Sequence, residues 1–222
     1  MKGKIVLITG SSLGIGKETA LRFAREGYIL IITYYKDKNE ANKTANKCLL
    51  LGAEQTLVVE LNLMNSKSIV SCVDRVVERF GKIDILVNNA GAIVWRELMQ
   101  QSFEDIEVQL RTNLEGLIKM TRQCLPHVKE AIVNIASGAG KTGYSGLGAY
   151  CATKFGVRGF TQSLSREVPE LRIISVNPGA TATRMTQFKG TPPENVAEIV
   201  YNAAIGKHKA DSEKDIDVWD FA

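Results

Sequence analysis

The 222-residue sequence has few of the features that mark secreted, membrane-spanning or metal-binding chains. Its four cysteines are scattered, with neither a CxxC pair nor the spacing of metal ligands, so we expect reduced thiols and no metal site. No apolar stretch approaches the ~20 residues that a membrane span needs. The first residues lack the apolar core and cleavage site of a signal peptide. These absences predict a cytoplasmic protein that does not enter a membrane.

A dense cluster of basic residues is also missing, and the formal charge is only +4. A charge of this size helps to attract an anionic ligand, but it does not indicate a nucleic-acid partner. The sequence contains no Pro/Ser-rich linker, internal repeat or low-complexity tract. We therefore expect residues 1–222 to form a single domain.

The N-terminal segment has the pattern of a strand, a glycine turn and a helix. An apolar run, Ile5 to Ile8, leads into a turn with glycines at positions 10, 14 and 16 and then into a helical pattern. Glycines let a backbone approach phosphates closely, and a helix N-terminus offers free N–H groups. A tight turn without a ligand is the alternative. The candidate contacts to a dinucleotide are Gly10, Ser12, Leu13, Gly14, Ile15 and Gly16.

The residues after the second apolar run decide between NAD and NADP. That run ends at Tyr34, Tyr35 and Lys36, where an acidic side chain would bind the ribose 2′-hydroxyl and repel a 2′-phosphate. Tyr34 is not acidic, and Asp37 lies one step too far along the chain. The pattern favours NADP(H), with Lys36 near the phosphate. NAD(H) remains possible, since residues 36–38 also fit an ordinary solvated loop.

Apolar runs and helical patterns alternate along the rest of the chain, which predicts an α/β fold. Right-handed crossovers make a doubly wound parallel sheet of order 3-2-1-4-5-6 the expected solution, with helices on both faces. A seventh strand is expected at 215–220. Helical periodicity starts at Phe103 and continues to Cys124, but Asn113 interrupts it, as a surface residue or a cap would.

Three residues form a candidate proton-transfer site. Tyr150 and Lys154 are four apart and share a helix face, so the ammonium is expected to favour the phenolate and lower the pKa of Tyr150. Ser137 follows an apolar run, and ligands of open α/β sheets collect at such strand ends. Taken alone, a Tyr four residues before a Lys is more often a solvated helix face.

Several motifs occur together between about Lys4 and Met185 in one order and at one spacing. They are Thr9-Gly10-x-x-x-Gly14-x-Gly16, Asn88-Asn89-Ala90-Gly91, Asn113, Ser137, Tyr150-x-x-x-Lys154 and Asn177-Pro178-Gly179. This set resembles the short-chain dehydrogenase/reductase family, and within it the subgroup of 3-oxoacyl-carrier-protein reductases and glucose or sugar dehydrogenases.

The resemblance implies four catalytic residues. Tyr150 would be the general acid in reduction and the base in oxidation, and Ser137 would orient the substrate oxygen. Lys154 would lower the pKa of Tyr150 and bind the nicotinamide ribose, and Asn113 would hold a water of a proton relay. The resemblance also implies cofactor contacts along the crevice, at Leu61, Asn62, Leu63, Asn89, Ala90, Gly91, Pro178, Gly179, Thr181 and Thr183.

The sequence departs from the family pattern in two places. Asn62 stands where the family usually has Asp at the adenine. The segment from Arg184 to Thr191 is shorter than the usual substrate lid, and the C-terminus also differs. An open pocket of this kind fits bulky or carrier-borne substrates, or simply low selectivity. The candidate pocket residues, besides Ser137, are Ile93, Val94, Trp95, Tyr144, Met185 and Phe188.

The expected function is interconversion of a ketone and a secondary alcohol, most simply by NADPH-dependent reduction of a 3-oxoacyl or other carbonyl substrate. Two alternatives remain: an NAD-dependent alcohol or sugar dehydrogenase, and a catalytically silent dinucleotide sensor. The helices that begin near Thr112 and Gly148 resemble the pair through which the family forms dimers and tetramers, so a homodimer or homotetramer is expected.

Overall fold

The computed structural model describes residues 3–221, which form one parallel sheet covered by helices. The strand order is β3-β2-β1-β4-β5-β6-β7, and every neighbouring pair is parallel. The strands are β1 (Ile5–Ile8), β2 (Ile29–Tyr34), β3 (Gln55–Glu60), β4 (Ile83–Asn88), β5 (Val128–Ile135), β6 (Arg172–Asn177) and β7 (Asp215–Asp217). The predicted order is confirmed, and so is the seventh strand at the edge.

Seven α-helices among residues 3–221 cover the sheet, and the prediction of helices on both faces is confirmed. They are α1 (Gly14–Ala24), α2 (Lys38–Leu50), α3 (Ser66–Phe80), α4 (Phe103–Leu110), α5 (Gly116–Cys124), α6 (Gly148–Glu167) and α7 (Pro193–Ala204). One apolar cluster joins one sheet face to α1, α2 and α7, and a second joins the other face to α3, α5 and α6. Because parallel strands are covered on both sides, they form continuous apolar runs. No helix among residues 3–221 is both long and apolar enough to span a membrane.

The helix expected from Phe103 to Cys124 is divided by a π-helical segment, Arg111–Glu115. A π-helical turn widens the backbone, and such turns are frequent at functional sites. Asn113 lies in this segment and is only 1% exposed, so its interpretation as a surface residue or a cap is wrong.

The C-terminal strand is shorter than expected. It ends at Asp217, and a single 3₁₀ turn, Val218–Phe221, follows where a strand to residue 220 was predicted. The four cysteines are all free and buried. Burial raises the pKa of Cys48 and of Cys72 to about 12, which makes both thiols poor nucleophiles.

Candidate active site

Three of the four predicted catalytic side chains meet on α6 and at the end of β5. Lys154 Nζ lies 5.6 Å from the centre of the Tyr150 ring, and both residues are buried. The same ammonium donates a 2.8 Å hydrogen bond to the carbonyl of Ile135, which fixes it against β5. Ser137 follows this strand, and its hydroxyl interacts with that of Tyr150. The i, i+4 spacing on α6 therefore produces a clustered site rather than a solvated face.

Asn113 completes the cluster from the π-helical segment. Its Oδ1 accepts a 2.7 Å hydrogen bond from the Ala92 N–H, and its Nδ2 donates to the carbonyl of Ala92 and to Thr153 Oγ1. A Cβ built on Gly91 would lie 3.4 Å from Asn113 Oδ1 and 4.0 Å from Lys154 Nζ. The loop after β4 therefore lies beside both Asn113 and Lys154, within van der Waals contact of a Cβ at Gly91.

Burial controls the electrostatics of the tyrosine and the lysine. Desolvation raises the pKa of Tyr150, and the interaction with the Ser137 hydroxyl only partly opposes this shift. Burial also lowers the pKa of Lys154 to about 8. The pKa of Tyr150 is thus raised overall, and the lowering contribution expected from Lys154 stays a prediction. At neutral pH the phenol keeps its proton, and the Lys154 amine is still mostly protonated.

The glycine turn after β1 closes tightly onto the loop after β4. Gly10 has a positive φ of 65°, and a Cβ there would come within 2.9 Å of the Ala90 backbone. A Cβ on Gly16 would come within 2.4 Å of Asn89 Nδ2 and 2.5 Å of the Gly10 carbonyl. Asn89 Nδ2 donates to the carbonyls of Thr9 and Gly10, so this amide holds the turn itself. Both glycines are needed for a backbone cradle at this point.

Two threonines that the sequence analysis did not select secure the same turn. Thr9 Oγ1 accepts hydrogen bonds from the N–H groups of Asn89 and Ala90, at 2.9 and 3.0 Å. Thr33 Oγ1 accepts from the Gly10 N–H and donates to the Ile8 carbonyl. A hydroxyl residue at the end of each of two adjacent strands, next to a glycine turn, is the sequence signal that identifies them. On α6, the hydroxyl of Thr153 accepts a hydrogen bond from Asn113 Nδ2 and donates one to the Tyr150 carbonyl.

The N-terminus of α1 fits a phosphate group. Leu13 is extended there, no side chain caps the helix, and its first turn has no acidic residue. The first helical bond runs from the Lys17 N–H to the Leu13 carbonyl, so the preceding N–H groups, which include those of Ile15 and Gly16, point out of the helix end. A Cβ on Gly14 would lie 3.3 Å from Thr183 Cγ2, which places Thr183 beside the turn. These contacts are what a dinucleotide pyrophosphate requires.

The residues after β2 present one cation and no free carboxylate at the predicted ribose position. Tyr34 is half-buried, Tyr35 and Lys36 are exposed, and Lys36 Nζ lies 5.2 Å from the Tyr35 ring centre. Asp37 caps α2 by accepting a hydrogen bond from the Glu40 N–H at 3.0 Å. Because that carboxylate is held in the cap, it is turned to the helix rather than to a ribose.

The remaining cofactor candidates lie in loops after the strands, at the carboxyl edge of the sheet. Leu61 and Leu63 are buried, and Asn62 Oδ1 accepts a 3.0 Å hydrogen bond from the Met64 N–H. That oxygen keeps a second lone pair for an amino group. Pro178 accepts a hydrogen bond from the Gly138 N–H, and Thr181 donates to the Gly179 carbonyl. The loops after β5 and β6 are thereby joined beside Ser137.

The predicted substrate-pocket residues are only partly brought together. Ile93 packs on the cluster of Tyr150, Cys151, Leu147 and Ala139. Val94 is half-buried and donates its N–H to Gln109 Oε1, and Trp95 lies against Gly146. Four members are exposed: Trp95, Tyr144, Met185 and Phe188. Their roles in the pocket stay predictions.

The segment predicted to be a short lid is a compact turn. Its ends are joined by hydrogen bonds from Ala182 to Thr191 and from Thr191 to Ala180. Phe188 lies within it with a positive φ of 60° and donates its N–H to the Thr183 carbonyl.

The comparisons with known proteins agree with this geometry. Residues 4–194 match the profile of the short chain dehydrogenase family. The chain belongs to that family. A 3-oxoacyl-acyl-carrier-protein reductase of Staphylococcus aureus is 33% identical over 189 residues, which are 82% of this chain and 76% of the relative. The corresponding reductase of Thermotoga maritima is 35% identical over 193 residues, 84% of this chain and 78% of the relative.

A solved structure gives the same relationship. The crystal structure of a short chain dehydrogenase from Burkholderia cenocepacia, in complex with NADP, superposes with a TM-score of 0.86 at 29% identity and covers 91% of each chain. This short-chain dehydrogenase is therefore an NAD(P)-dependent oxidoreductase that resembles the 3-oxoacyl-acyl-carrier-protein reductases. The glycine turn, the uncapped α1 and Thr183 are the residues that fit its dinucleotide.

Proposed function

We propose that this short-chain dehydrogenase reduces a ketone to a secondary alcohol, with NADPH as reductant and a 3-oxoacyl or related carbonyl compound as substrate. The convergence of Tyr150, Lys154 and Asn113 with Ser137, beside the glycine turn, carries this proposal. The resemblance to 3-oxoacyl-acyl-carrier-protein reductases supports the substrate class.

The side chains have distinct tasks in this reaction. The cofactor supplies the hydride. Tyr150 donates its phenolic proton to the oxygen of the reduced carbonyl, and burial keeps that proton in place at neutral pH. Ser137 Oγ accepts a hydrogen bond from the Ala139 N–H, which leaves its own hydrogen free to stabilise charge on the substrate oxygen. Lys154 supplies a positive charge beside the phenol. Asn113 fixes the loop after β4 next to this site through its hydrogen bonds to the Ala92 backbone.

A screen for cofactor consumption tests the proposal. NADPH and NADH are each incubated with 3-oxoacyl thioesters and methyl ketones, NADP⁺ and NAD⁺ are each incubated with secondary alcohols and sugars, and absorbance at the reduced nicotinamide band is followed. We expect turnover with NADPH and the 3-oxoacyl or simple ketone members. Oxidation of sugars with NAD⁺ alone would replace the proposal by the alcohol or sugar dehydrogenase. No turnover with any member would favour a dinucleotide sensor.

Lys36→Glu is expected to reverse the cofactor preference. The exposed ammonium attracts a 2′-phosphate, whereas a carboxylate there repels the phosphate and accepts a hydrogen bond from the ribose hydroxyl. We expect the kcat/KM ratio of NADPH over NADH to fall at least tenfold, which corresponds to about 1.4 kcal/mol. Lys47→Glu makes the same charge change on the exposed side of α2 and should leave the ratio in place. An unchanged ratio in Lys36→Glu would remove Lys36 from the phosphate site.

We infer that the chain forms a homodimer or homotetramer through α4, α5 and α6. Exposed apolar residues lie on all three helices: Phe103, Leu110, Ile118 and Phe155. On α6, Ala152, Phe155 and Gly159 are exposed at i, i+3 and i+7, so they share one face. A Cβ on Gly159 would have nothing within 4 Å. A small residue in open space on an apolar helix face is well suited to close approach by a second copy.

Gly159→Arg is expected to convert the assembly to a monomer. The larger side chain clashes with nothing in its own chain and raises helix propensity, so the fold of the protomer should persist. Light scattering at micromolar protein measures the mass, and circular dichroism checks the fold. Ser71→Arg, on the exposed side of α3, is the matched control and should keep the assembled mass. Retention of that mass by Gly159→Arg would exclude this face of α6 from the interface.

A further inference from the structure

The C-terminal strand β7 is tied to both loops that border the catalytic crevice. Asp217 accepts a hydrogen bond from Asn177 Nδ2 at 2.7 Å and pairs with Lys141 Nζ at 2.5 Å. Asn177 directly precedes Pro178 and Gly179, and Lys141 follows the 3₁₀ turn after Ser137. A single carboxylate thus connects the loops after β5 and β6.

The adjacent carboxylate of Asp215 fixes the same strand to α6. It is 3% exposed, is paired with Arg158 and accepts a hydrogen bond from the Ser175 hydroxyl. Arg158 lies one helical turn after Lys154 and also donates to the Gly140 carbonyl at 2.8 Å. These ion pairs, with little solvent around Asp215, hold β7 in a fixed position relative to the catalytic helix.

Trp219 extends from this anchored strand to the crevice. A Cβ built on Gly138 would lie 3.4 Å from Cζ3 and 3.7 Å from Cη2 of the indole, and 3.9 Å from the Pro178 carbonyl. Gly138 is the residue after Ser137, so the ring edge lies at the wall that carries the catalytic hydroxyl. The indole is 46% exposed, which leaves a large part of it available for contact. Lys141 Nζ lies 5.9 Å from the ring centre, on the loop that Asp217 holds.

We propose that Trp219 forms the Ser137-side wall of the substrate pocket and packs against the apolar group attached to the reacting carbon. An anchored indole presents a large apolar surface at low conformational cost. The neighbouring cations Lys141 and Arg158 are already paired with carboxylates, so this wall selects apolar rather than anionic substituents. Asp217 is a positioning residue for the indole. The assignment rests on the proposed ketone reduction and adds the residue that selects the substrate.

Kinetics on a series of methyl ketones, from acetone to 2-octanone, tests the selection. In Trp219→Ala we expect KM for the longer ketones to rise about tenfold, with a small change for acetone, because the lost contact grows with the apolar chain. The Kd for NADPH should be unchanged. Phe221→Ala, which removes an exposed ring that packs on His208 in the same segment, is the control and should leave the KM series unchanged. Parallel KM series in Trp219→Ala and wild type would overturn the proposal.

Fluorescence provides a test that needs no turnover. Trp95→Phe leaves Trp219 as the only tryptophan of the chain. With NADP⁺ bound, 2-octanone should change its emission in a saturable manner, beyond the collisional quenching measured on N-acetyltryptophanamide. A saturable change in Trp219 emission without turnover would support the assignment of Trp219 to the pocket and contradict the proposed ketone reduction. Turnover without a change in Trp219 emission would support the proposed ketone reduction and exclude Trp219 from the pocket wall.

Discussion

Replacement of Tyr150 by phenylalanine is expected to lower kcat roughly 10²–10⁴-fold, the range that general acid catalysis contributes. The substitution removes one hydroxyl from a ring that is 9% exposed and packs on Ile93, Leu147, Cys151 and Ala139, so the pocket keeps its shape. No other phenol is placed beside both Ser137 and Lys154 within the described residues 3–221. Steady-state reduction of the best ketone from the screen measures the loss, and titration of NADPH measures binding, which should persist.

Tyr201→Phe is the matched control for this experiment. Tyr201 loses the same hydroxyl, but it lies between α7 and α1, where its ring contacts Phe23 and the guanidinium of Arg22. Turnover in that variant should equal that of the parent chain. If Tyr150→Phe turned over as fast as Tyr201→Phe while binding NADPH equally well, a different group would have to deliver the proton.

The sequence predicts the sheet order and the main catalytic positions because both follow from local patterns. Strand, turn and helix alternate with short connections, and right-handed crossovers then leave few topologies. The carboxyl ends of β4, β5 and β6 meet at one edge of the sheet, so the residues that follow them lie close together. The four-residue spacing of Tyr150 and Lys154 is likewise a property of any helix.

The features that the sequence does not predict depend on packing over long separations. Asn113 is a poor helix residue by propensity, yet it is buried because a π-helical turn brings its amide to the backbone of Ala92. The pKa of Tyr150 is raised because desolvation outweighs the lowering effect of the Ser137 hydroxyl. The spacing of residues along the chain does not reveal this desolvation. Trp219 reaches Gly138 only because Asp217 and Asp215 fix β7. For Asn113 and Trp219 the decisive partners lie more than 20 residues away.

Together, these contacts hold the side chains around Tyr150 in place, so its phenol is positioned to act as an acid. The loop at Gly91 lies beside Asn113 and Lys154, the Ile135 carbonyl holds the ammonium, and Thr153 joins the Asn113 amide to the catalytic helix. Burying a cation without a carboxylate partner destabilises the folded chain, so the site must be retained for its chemistry rather than for stability.

Lys154→Met is expected to lower kcat roughly 10²–10³-fold, because it removes the positive charge that stands beside the phenol during proton transfer. It should also change how stability depends on pH. The folded-state pKa of Lys154 is about 8, below the 10.5 of an unperturbed lysine. Between these values the unfolded chain binds more protons than the folded chain, so this residue adds stability as the pH rises from 8 to 10.5.

Urea unfolding of both proteins at pH 7 and pH 10.5 measures this effect. The free energy of unfolding of the parent chain, minus that of Lys154→Met, should increase by about 3 kcal/mol between the two pH values, the equivalent of the pKa shift. Lys47→Met makes the same substitution at an exposed position on α2 and is the matched control. A pH-independent difference for Lys154→Met would mean that the ammonium is fully charged in the folded chain, and the buried-cation account of the site would be wrong.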